Sequence, residues 1–200
     1  MKKFIYLYRN KNNKKFVFNK PGNYTVFLNN SQGKYDFFIN EENVNLNIFG
    51  IYLGKNNLKY KIETNQIHKK PNSKSNLLFK GVFNDKSAFN FKGLIRIEKT
   101  AMKSIAYQKN QNLNLSDDTV IKTQPNLEIL SNDVICTHAI TTSYLNKKNL
   151  YYLNTRSIKK NEAKKLLIKG FLNEVVNTKG NVLDENLYKK IRTQINKFLL

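Results

Sequence analysis

Residues 93–136 read GLIRIEKTAMKSIAYQKNQNLNLSDDTVIKTQPNLEILSNDVIC, and this stretch decides the fold class of the 200-residue chain. Brief polar turns separate its short runs, without the Asn-Gly dipeptides that are typical of β-hairpins. Short strands alone fit a sandwich, a barrel or a solenoid, whereas side chains recurring at strand centres favour the stacked coils of a parallel β-helix. The recurring apolar or thiol side chains are Leu94, Ile97, Leu113, Leu115, Leu127, Ile129, Val134 and Cys136.

The same strand-length pattern extends from Phe4 to about His138, and no sustained helical period interrupts it. Turn signals such as PGN at residues 21–23 and GKNN at residues 54–57 separate the runs. The pattern predicts a β-helix core over residues 1–143 with more than a dozen strands. They are Phe4–Tyr8, Lys15–Phe18, Tyr24–Leu28, Tyr35–Ile39, Val44–Phe49, Leu58–Ile62, Asn76–Phe83, Ser87–Phe91, Gly93–Glu98, Ser104–Gln108, Gln111–Leu115, Leu127–Leu130 and Asp133–Thr137.

The hydrophobic period changes after Thr142, and residues 144–200 are predicted to form a small C-terminal α-helical domain. Asn146 is the predicted N-cap of a short helix, because its side chain can accept hydrogen bonds from the free amides of the first turn. Further helices are predicted from Asn161 to Asn177 and from Asp184 to Leu200. The second helix carries two apolar stripes, which fit either burial against a partner or a helix wedged between two neighbours.

The chain is strongly basic, with 35 Lys and Arg against 14 Asp and Glu and a net charge of +21. Such an excess attracts nucleic acid, anionic membranes or an acidic partner. The lysines are spread along the chain among many Asn, Ile, Tyr and Phe, a bias that A/T-rich codons give to most proteins of a cell. No helix-turn-helix, zinc-finger or RNP-type motif is readable, so only nonspecific phosphate binding stays open as a nucleic-acid function.

The sequence predicts neither a disulfide framework nor a membrane segment. Its one cysteine, Cys136, cannot form an intramolecular disulfide. The first apolar run stops at Arg9, short of a signal peptide, and no run approaches the roughly 20 residues that span a bilayer. We therefore expect a cytoplasmic protein without membrane contact. The G-x-x-x-x-G-K-[ST] phosphate loop is absent, so any ATP hydrolysis would belong to a partner.

Three groups of motifs follow one another in the order of a known family. FKGLIRI at 91–97, Ala101 and QKNQNLNLS at 108–116 form the first group, and PNLEI at 125–129 with NDVICTH at 132–138 and Thr141 form the second. LYYLNTRSI at 150–158 begins the third, which continues with Ala163, Leu166, Leu167, Ile168, Gly170 and Phe171. From about Ile62 to Val176 the chain resembles the SufB/SufD family of iron–sulfur cluster assembly scaffolds.

The resemblance implies a right-handed parallel β-helix followed by a C-terminal helical domain. It also implies a non-catalytic scaffold subunit of a SufBCD-type complex, with a SufC-like ABC ATPase and a SufB-like chain as partners. SufB carries a cysteine where this chain has Ile129, and a glutamate where this chain has Ala139. Both positions therefore indicate a SufD-like member. The chain is short for the family, because the N-terminal helical domain of longer relatives is not recognisable in it.

Cys136 and His138 are the candidate cluster-assembly residues. Strand positions two apart project to the same face, so the thiol and the imidazole can converge while Thr137 points away. Both groups are credible iron ligands, and histidine can also accept a proton. The resemblance implies a transient nascent iron–sulfur cluster, shared with a cysteine of a SufB-like partner and not permanently bound. The alternative is a buried strand in which Cys136 fills core space and His138 satisfies a carbonyl.

The resemblance also implies which surface of this chain contacts the ATPase partner. Family members bind SufC with the region that matches the C-terminal helices here. The family's glycines after the histidine and the arginine are Ala139 and Ser157 here, where a positive φ would be strained. Arg156 could instead cap the carbonyls of the preceding helix, and His68 is expected to stack within a coil and not to bind metal. The candidate contacts are Arg156, Ala163, Leu167, Gly170 and Phe171.

Two alternatives to the scaffold function stay open from the sequence. One is a basic solenoid that binds nucleic acid through phosphates, with an affinity that falls steeply as salt rises. The other is a purely structural paralogue that stabilises the ATPase without a cluster role. The partner of the scaffold itself is either a SufB-like chain or a second copy of this one.

Overall fold

The computed structural model describes residues 2–177 and 185–200. Met1 and Asp184, the predicted start of the third helix, lie outside the described residues. The described chain forms strands β1 (Lys2–Tyr8), β2 (Lys14–Phe18), β3 (Gly22–Asn29), β4 (Gly33–Ile39), β5 (Val44–Gly54), β6 (Lys59–His68), β7 (Lys74–Phe83), β8 (Ala88–Ile97), β9 (Ser104–Asn114), β10 (Val120–Ile129) and β11 (Val134–Tyr144), then helices α1 (Lys147–Thr155), α2 (Lys160–Val176) and α3 (Glu185–Phe198).

Each strand from β1 to β9 pairs in parallel with the next strand but one in the chain. The odd-numbered strands form one sheet in the order β1-β3-β5-β7-β9-β11, and the even-numbered strands form a second in the order β2-β4-β6-β8-β10. The chain therefore winds between two sheets and stacks coil upon coil, which confirms the predicted parallel β-helix followed by helices. Within the described chain, β10 and β11 are the last strands of their sheets.

Strands of the later coils are longer than the sequence pattern predicts. β8 runs unbroken across Gly93, and β9 runs unbroken from Ser104 to Asn114. The reason is that the inner face of β9 carries polar side chains, which interrupt the alternating pattern that sequence reasoning depends on. The buried polar side chains of this strand include Gln108, Asn110 and Asn112.

Several turns of the β-helix use asparagine where the backbone is left-handed. Asn30, Asn43, Asn56 and Asn72 have φ angles of 49°, 55°, 58° and 57°. Most L residues avoid this region, whereas asparagine tolerates it because its short polar side chain bonds locally. The chain makes these turns although it contains only 8 glycines.

Aromatic side chains fill much of the interior of the β-helix. The ring centroid of Tyr52 lies 5.0 Å from that of Phe89 and 5.5 Å from that of Phe79, and Phe79 lies 5.3 Å from Phe91. Tilted contacts of this kind contribute about 0.5–1.5 kcal/mol each beyond their buried area. Gly50 is the register partner of Phe79, and the Phe79 ring lies over the space that a larger residue at Gly50 would fill.

The second and third helices share a hydrophobic cluster with the six-stranded sheet. Phe49 and Leu78 of the sheet belong to the same cluster as Leu172 and Ile191 of the helices. α2 contacts the sheet, α1 and α3, which is the wedged arrangement. Its buried side chains come from both predicted stripes: Ala163 and Val175 lie on one, and Ile168, Leu172 and Val176 lie on the other.

The predicted cap of the first helix is confirmed. The side-chain oxygen of Asn146 accepts from the amides of Lys148 at 2.8 Å and Asn149 at 3.3 Å. α1 itself buries none of its residues. No helix within residues 2–177 or 185–200 combines the length and apolar character that crossing a membrane requires.

A buried lysine fastens α2 to the sheet. Lys80 on β7 is 4% exposed, and its Nζ donates to the carbonyl of Phe171 at 2.8 Å. The same ammonium forms an ion pair with Glu174 and lies 4.3 Å from the centroid of the Phe171 ring. Burial lowers the pKa of Lys80, while Glu174 acts in the opposite direction. The buried ammonium of Lys80 is thus paired with two acceptors on α2, and these contacts attach the helix to the sheet.

We expect Gly50→Ala to destabilise the protein by about 1–3 kcal/mol, because the added Cβ would lie 2.7 Å from Phe79 Cε1 and overpack the core. The matched control is Gly170→Ala on α2, where a Cβ meets nothing within 4 Å. That change should instead stabilise the helix by up to about 1 kcal/mol. Urea denaturation of both variants measures the two effects, and equal stabilities would contradict the packing at Gly50.

Candidate functional site

The last coil leaves one end of the β-helix uncovered among the described residues. We call this the open end and define it by Leu127 and Ile129 on β10 and Cys136 and His138 on β11. Leu127 and Ile129 are 39% and 43% exposed although both are apolar. All four side chains lie on the inner face of the β-helix, because their register partners in the preceding coil are buried. These partners are Ile95, Ile97, Ala106 and Gln108, and we call each such row of stacked side chains a ladder.

Cys136 is half-buried at this end. It packs on a small apolar cluster that includes Ile95, Ile97 and Ala106. Burial raises the pKa of the Cys136 thiol above its usual value. The thiolate is the form that binds metal, so iron would have to displace the thiol proton on binding.

His138 is exposed and lies on the same face of β11 as Cys136. Cys136 and His138 pair with buried residues, whereas Thr137 between them pairs with the exposed Tyr107. The alternative of a buried His138 bonded to a carbonyl does not fit this exposure. The imidazole is therefore accessible from outside the chain, while the thiol is partly covered by the core.

Among the described residues, the two candidate ligands have no third neighbour of the same chemistry. Within residues 2–177 and 185–200, no group of three or more His, Cys, Asp and Glu side chains is placed to hold a metal ion. Two side chains do not enclose an iron–sulfur cluster. Cys136 and His138 can therefore supply part of such a site, and the rest would have to come from elsewhere.

Two features of the open end were missed by sequence reasoning. One is that β10 begins at Val120 and is an edge strand; its signal was Pro125, because proline cannot donate to a ladder and is confined to edges. The other is Gln108, a buried glutamine that pairs in register with His138. Nothing in the sequence pattern pointed to Gln108, since it begins the polar run QKNQN at residues 108–112, and such a run is typical of the end of a strand.

His68 lies in the interior and has the structural surroundings that the sequence predicts. It is fully buried, and its Nε2 lies 2.7 Å from Ser75 Oγ. The same hydroxyl accepts from Gln66 Nε2 at 2.7 Å. Burial lowers the pKa of His68 to about 4, so the ring is neutral at pH 7.

The residues predicted to contact the ATPase differ in how far they are exposed to solvent. Arg156 and Gly170 are exposed, and Leu167 is half-buried. Ala163 is fully buried inside the chain, and Phe171 is half-buried beside Lys80. In this arrangement Ala163 does not reach the surface, and Phe171 contributes to the attachment of α2 to the sheet.

Two further positions bear on this surface. The backbone amide of Arg156 donates to the carbonyl of Leu153 at the end of the first helix, whereas its guanidinium lies 5.3 Å from the Tyr152 ring centroid. Ser157 adopts a φ of 61°, the left-handed conformation for which the family uses glycine, whereas Ala139 lies in the extended strand β11. The predicted strain is therefore present at Ser157 and absent at Ala139.

The fold and the open end together define a class of protein: a parallel β-helix that ends in packed helices and presents a thiol and an imidazole on its last strand. The family model described as SUF system FeS cluster assembly, SufBD core domain, matches residues 24–171, which is more than half of the chain. The chain therefore belongs to the SufBD core family.

Individual relatives carry the same family name. The chain is 30% identical over 132 residues to the iron–sulfur cluster assembly protein SufD of Escherichia coli, a match that covers 66% of this chain and 30% of that protein. It is 35% identical over 127 residues to SufD of Bacillus subtilis, covering 64% and 29%. An iron–sulfur cluster assembly SufBD family protein of Synechocystis is 32% identical over 106 residues, covering 53% and 23%. The matched region is thus less than a third of each relative's length.

We expect the stability of the protein to fall as pH decreases from 6.5 to 4 because of His68. The unfolded chain takes up a proton at the ordinary pKa of 6.5, whereas the buried ring does so only near 4. The unfolded state therefore gains protons first, at a cost in stability of about 3 kcal/mol over the whole window.

The measurement is the free energy of unfolding at pH 7 and pH 5 for the wild type and for His68→Gln. Between these pH values the wild type should lose about 2 kcal/mol more than the variant, and the titration of the carboxylates cancels in the difference. Equal losses would mean that His68 titrates normally in the folded protein.

Proposed function

We propose that this chain is a SufD-like scaffold subunit that takes part in iron–sulfur cluster assembly within a SufBCD-type complex. The observation that carries the proposal is the placement of Cys136 and His138 at the open end of a SufBD-family β-helix. The nascent cluster is the cargo of the scaffold, held transiently and passed on. The cytoplasm, where thiols stay reduced, is the compartment that suits this chemistry.

The two side chains have complementary roles in this proposal. The Cys136 thiolate and the neutral His138 imidazole are both ligands for iron. His138 can in addition take the proton that is released when a thiol or sulfide binds the metal. Since His138 is exposed and Cys136 is half-buried, His138 is the first of the two to meet an incoming iron or sulfur species.

The remaining ligands come from a SufB-like partner docked on the open end. β10 and β11 present backbone groups along their free edges, and such edges pair readily with strands of another chain. Docking would also cover the exposed apolar side chains of Leu127 and Ile129. Ile129 stands where a SufB-like chain carries its cysteine, so a hetero-pair supplies a thiol that a pair of identical chains lacks.

The ATPase partner contacts a surface formed by α1 and α2. We define this surface by Tyr151, Tyr152, Arg156, Leu166 and Gly170. Tyr151 and Leu166 are 72% and 52% exposed, which leaves large apolar area for a partner to bury. Because the chain has no phosphate-binding loop, ATP hydrolysis belongs to the SufC-like subunit and this chain acts as a non-catalytic scaffold.

We expect His138→Ala to impair cluster assembly while the fold and the complex persist. An exposed substitution changes stability by less than about 0.5 kcal/mol, whereas the loss of a ligand should reduce bound iron and sulfide by at least about tenfold. The measurement is the iron and acid-labile sulfide content of the complex purified anaerobically from cells that carry only the variant.

Thr137→Ala is the matched control, because Thr137 is the adjacent exposed residue on the opposite face of the same strand. It should assemble clusters normally. If the His138→Ala complex contained as much iron and sulfide as the wild type, His138 would have no role in cluster assembly. Recovery of nucleic acid that washes off with salt, with no ATPase and no SufB-like chain, would favour the basic-solenoid function instead.

We expect Tyr151→Lys to weaken binding of the ATPase by about 30-fold or more, the effect of removing one aromatic anchor from an interface. The control is Val17→Lys, which also places a lysine at an exposed apolar position, 52% exposed, but on β2 near the other end of the β-helix. Co-purification and titration calorimetry with the SufC-like subunit compare the two. Equal binding by both variants would mean that the ATPase does not contact α1.

A further inference from the structure

In the coil below the open end, the buried side chain of Gln108 has no hydrogen-bond partner in the part of the chain that the structure describes. Gln108 on β9 is 2% exposed, and neither Nε2 nor Oε1 finds a hydrogen-bond partner within residues 2–177 and 185–200. A buried amide without partners costs stability, and native proteins rarely keep one without a reason. A leucine would fill the same space without that cost, so packing alone does not account for glutamine here.

The opposite strand leaves room for this amide. Gly93 on β8 faces Gln108, and a Cβ at Gly93 would lie 2.6 Å from Gln108 Cδ. Any residue larger than glycine would push the glutamine side chain away. The inner face at this level of the β-helix is therefore shaped around the carboxamide.

The ladder on which Gln108 lies offers it one polar neighbour. Its register partner below is the apolar Leu77, and its register partner above is His138. Successive strands of a sheet lie about 4.8 Å apart, so an imidazole at His138 can turn onto the amide. Across the interior, Thr64 is the register partner of Gly93. Its hydroxyl also has no hydrogen-bond partner among the described residues.

We propose that Gln108 is a positioning residue for His138: its Oε1 accepts the N–H of one ring nitrogen, and the other nitrogen is left with its lone pair toward the open end. The proposal rests on the proposed function, which gives the free nitrogen its role as an iron ligand or proton acceptor. Histidines that bind metal usually donate their second N–H to a fixed acceptor, which sets the tautomer and the ring orientation. A neutral amide does this without adding charge to the site.

The test is the tautomer of His138, measured in the full chain with ¹⁵N-labelled histidine by two-bond ¹H–¹⁵N correlation above pH 7. The chain contains two histidines, and buried His68 serves as an internal reference for the fold. In the wild type we expect one dominant tautomer of His138. In Gln108→Leu the tautomer ratio should change by about fivefold, the effect of one net hydrogen bond. Gln108→Glu, which keeps an acceptor oxygen, should restore the dominant tautomer.

Thr64→Val is the matched control, because it removes the other unpartnered polar group at this level with little change in shape. It should leave the His138 signals unchanged. If Gln108 serves only the interior, Gln108→Leu and Thr64→Val will both leave the tautomer of His138 as it is, and the positioning role is overturned. A mixture of tautomers in the wild type, as in a free imidazole, overturns it without any variant.

These outcomes are separate from those that test the proposed function. Normal cluster assembly by His138→Ala would refute the function and leave the tautomer result intact. An unchanged tautomer in Gln108→Leu would refute the positioning role alone. If the tautomer responds as expected, Gln108→Leu should also lower the iron and sulfide bound to the complex, with the ATPase still attached.

Discussion

Each strand from β1 to β9 hydrogen-bonds to the strand one coil further on, so the position of a side chain along its strand decides which side chains it stacks on. Phe79 lies over Gly50 for this reason, and the sheet that carries them stays regular enough to accept α2 along its outer face. The attachment of α2 through Lys80 depends on the same regularity, because a buried ammonium needs its acceptors at fixed positions. In-register parallel pairing is thus the constraint from which core, helix docking and site all follow.

The candidate site is where these ladders stop. The ladder of Ala106 ends in Cys136, and the ladder of Gln108 ends in His138. In every earlier coil the next strand covers such a position, so a thiol or an imidazole there would be part of the core. On the last coil the same geometry turns inward-facing positions into a surface. The chemistry of the open end therefore comes from the end of a repeating structure and needs no loop built for the purpose.

Much of the fold is visible in the sequence, because strands and helices have different hydrophobic periods. The Asn146 cap and the stripe of Ile191 and Ile195 on α3 are local signals of this kind. The sequence pattern could not show that β8 runs unbroken across Gly93. This glycine makes room for the side chain of Gln108 on the opposite sheet, and such a contact leaves no local signal. For the site, alternation placed Cys136 and His138 on one face, but their different exposure depends on whether another coil follows, which no local pattern contains.

The left-handed turns at Asn30, Asn43, Asn56 and Asn72 have a consequence for how such a chain evolves. A coding bias that enriches asparagine at the expense of glycine is harmful in folds whose turns accept only glycine, where each replacement costs about 1–2 kcal/mol. In this solenoid, the recurring left-handed turns are positions in which asparagine is tolerated. An asparagine-rich composition and the turn chemistry are therefore compatible in this fold.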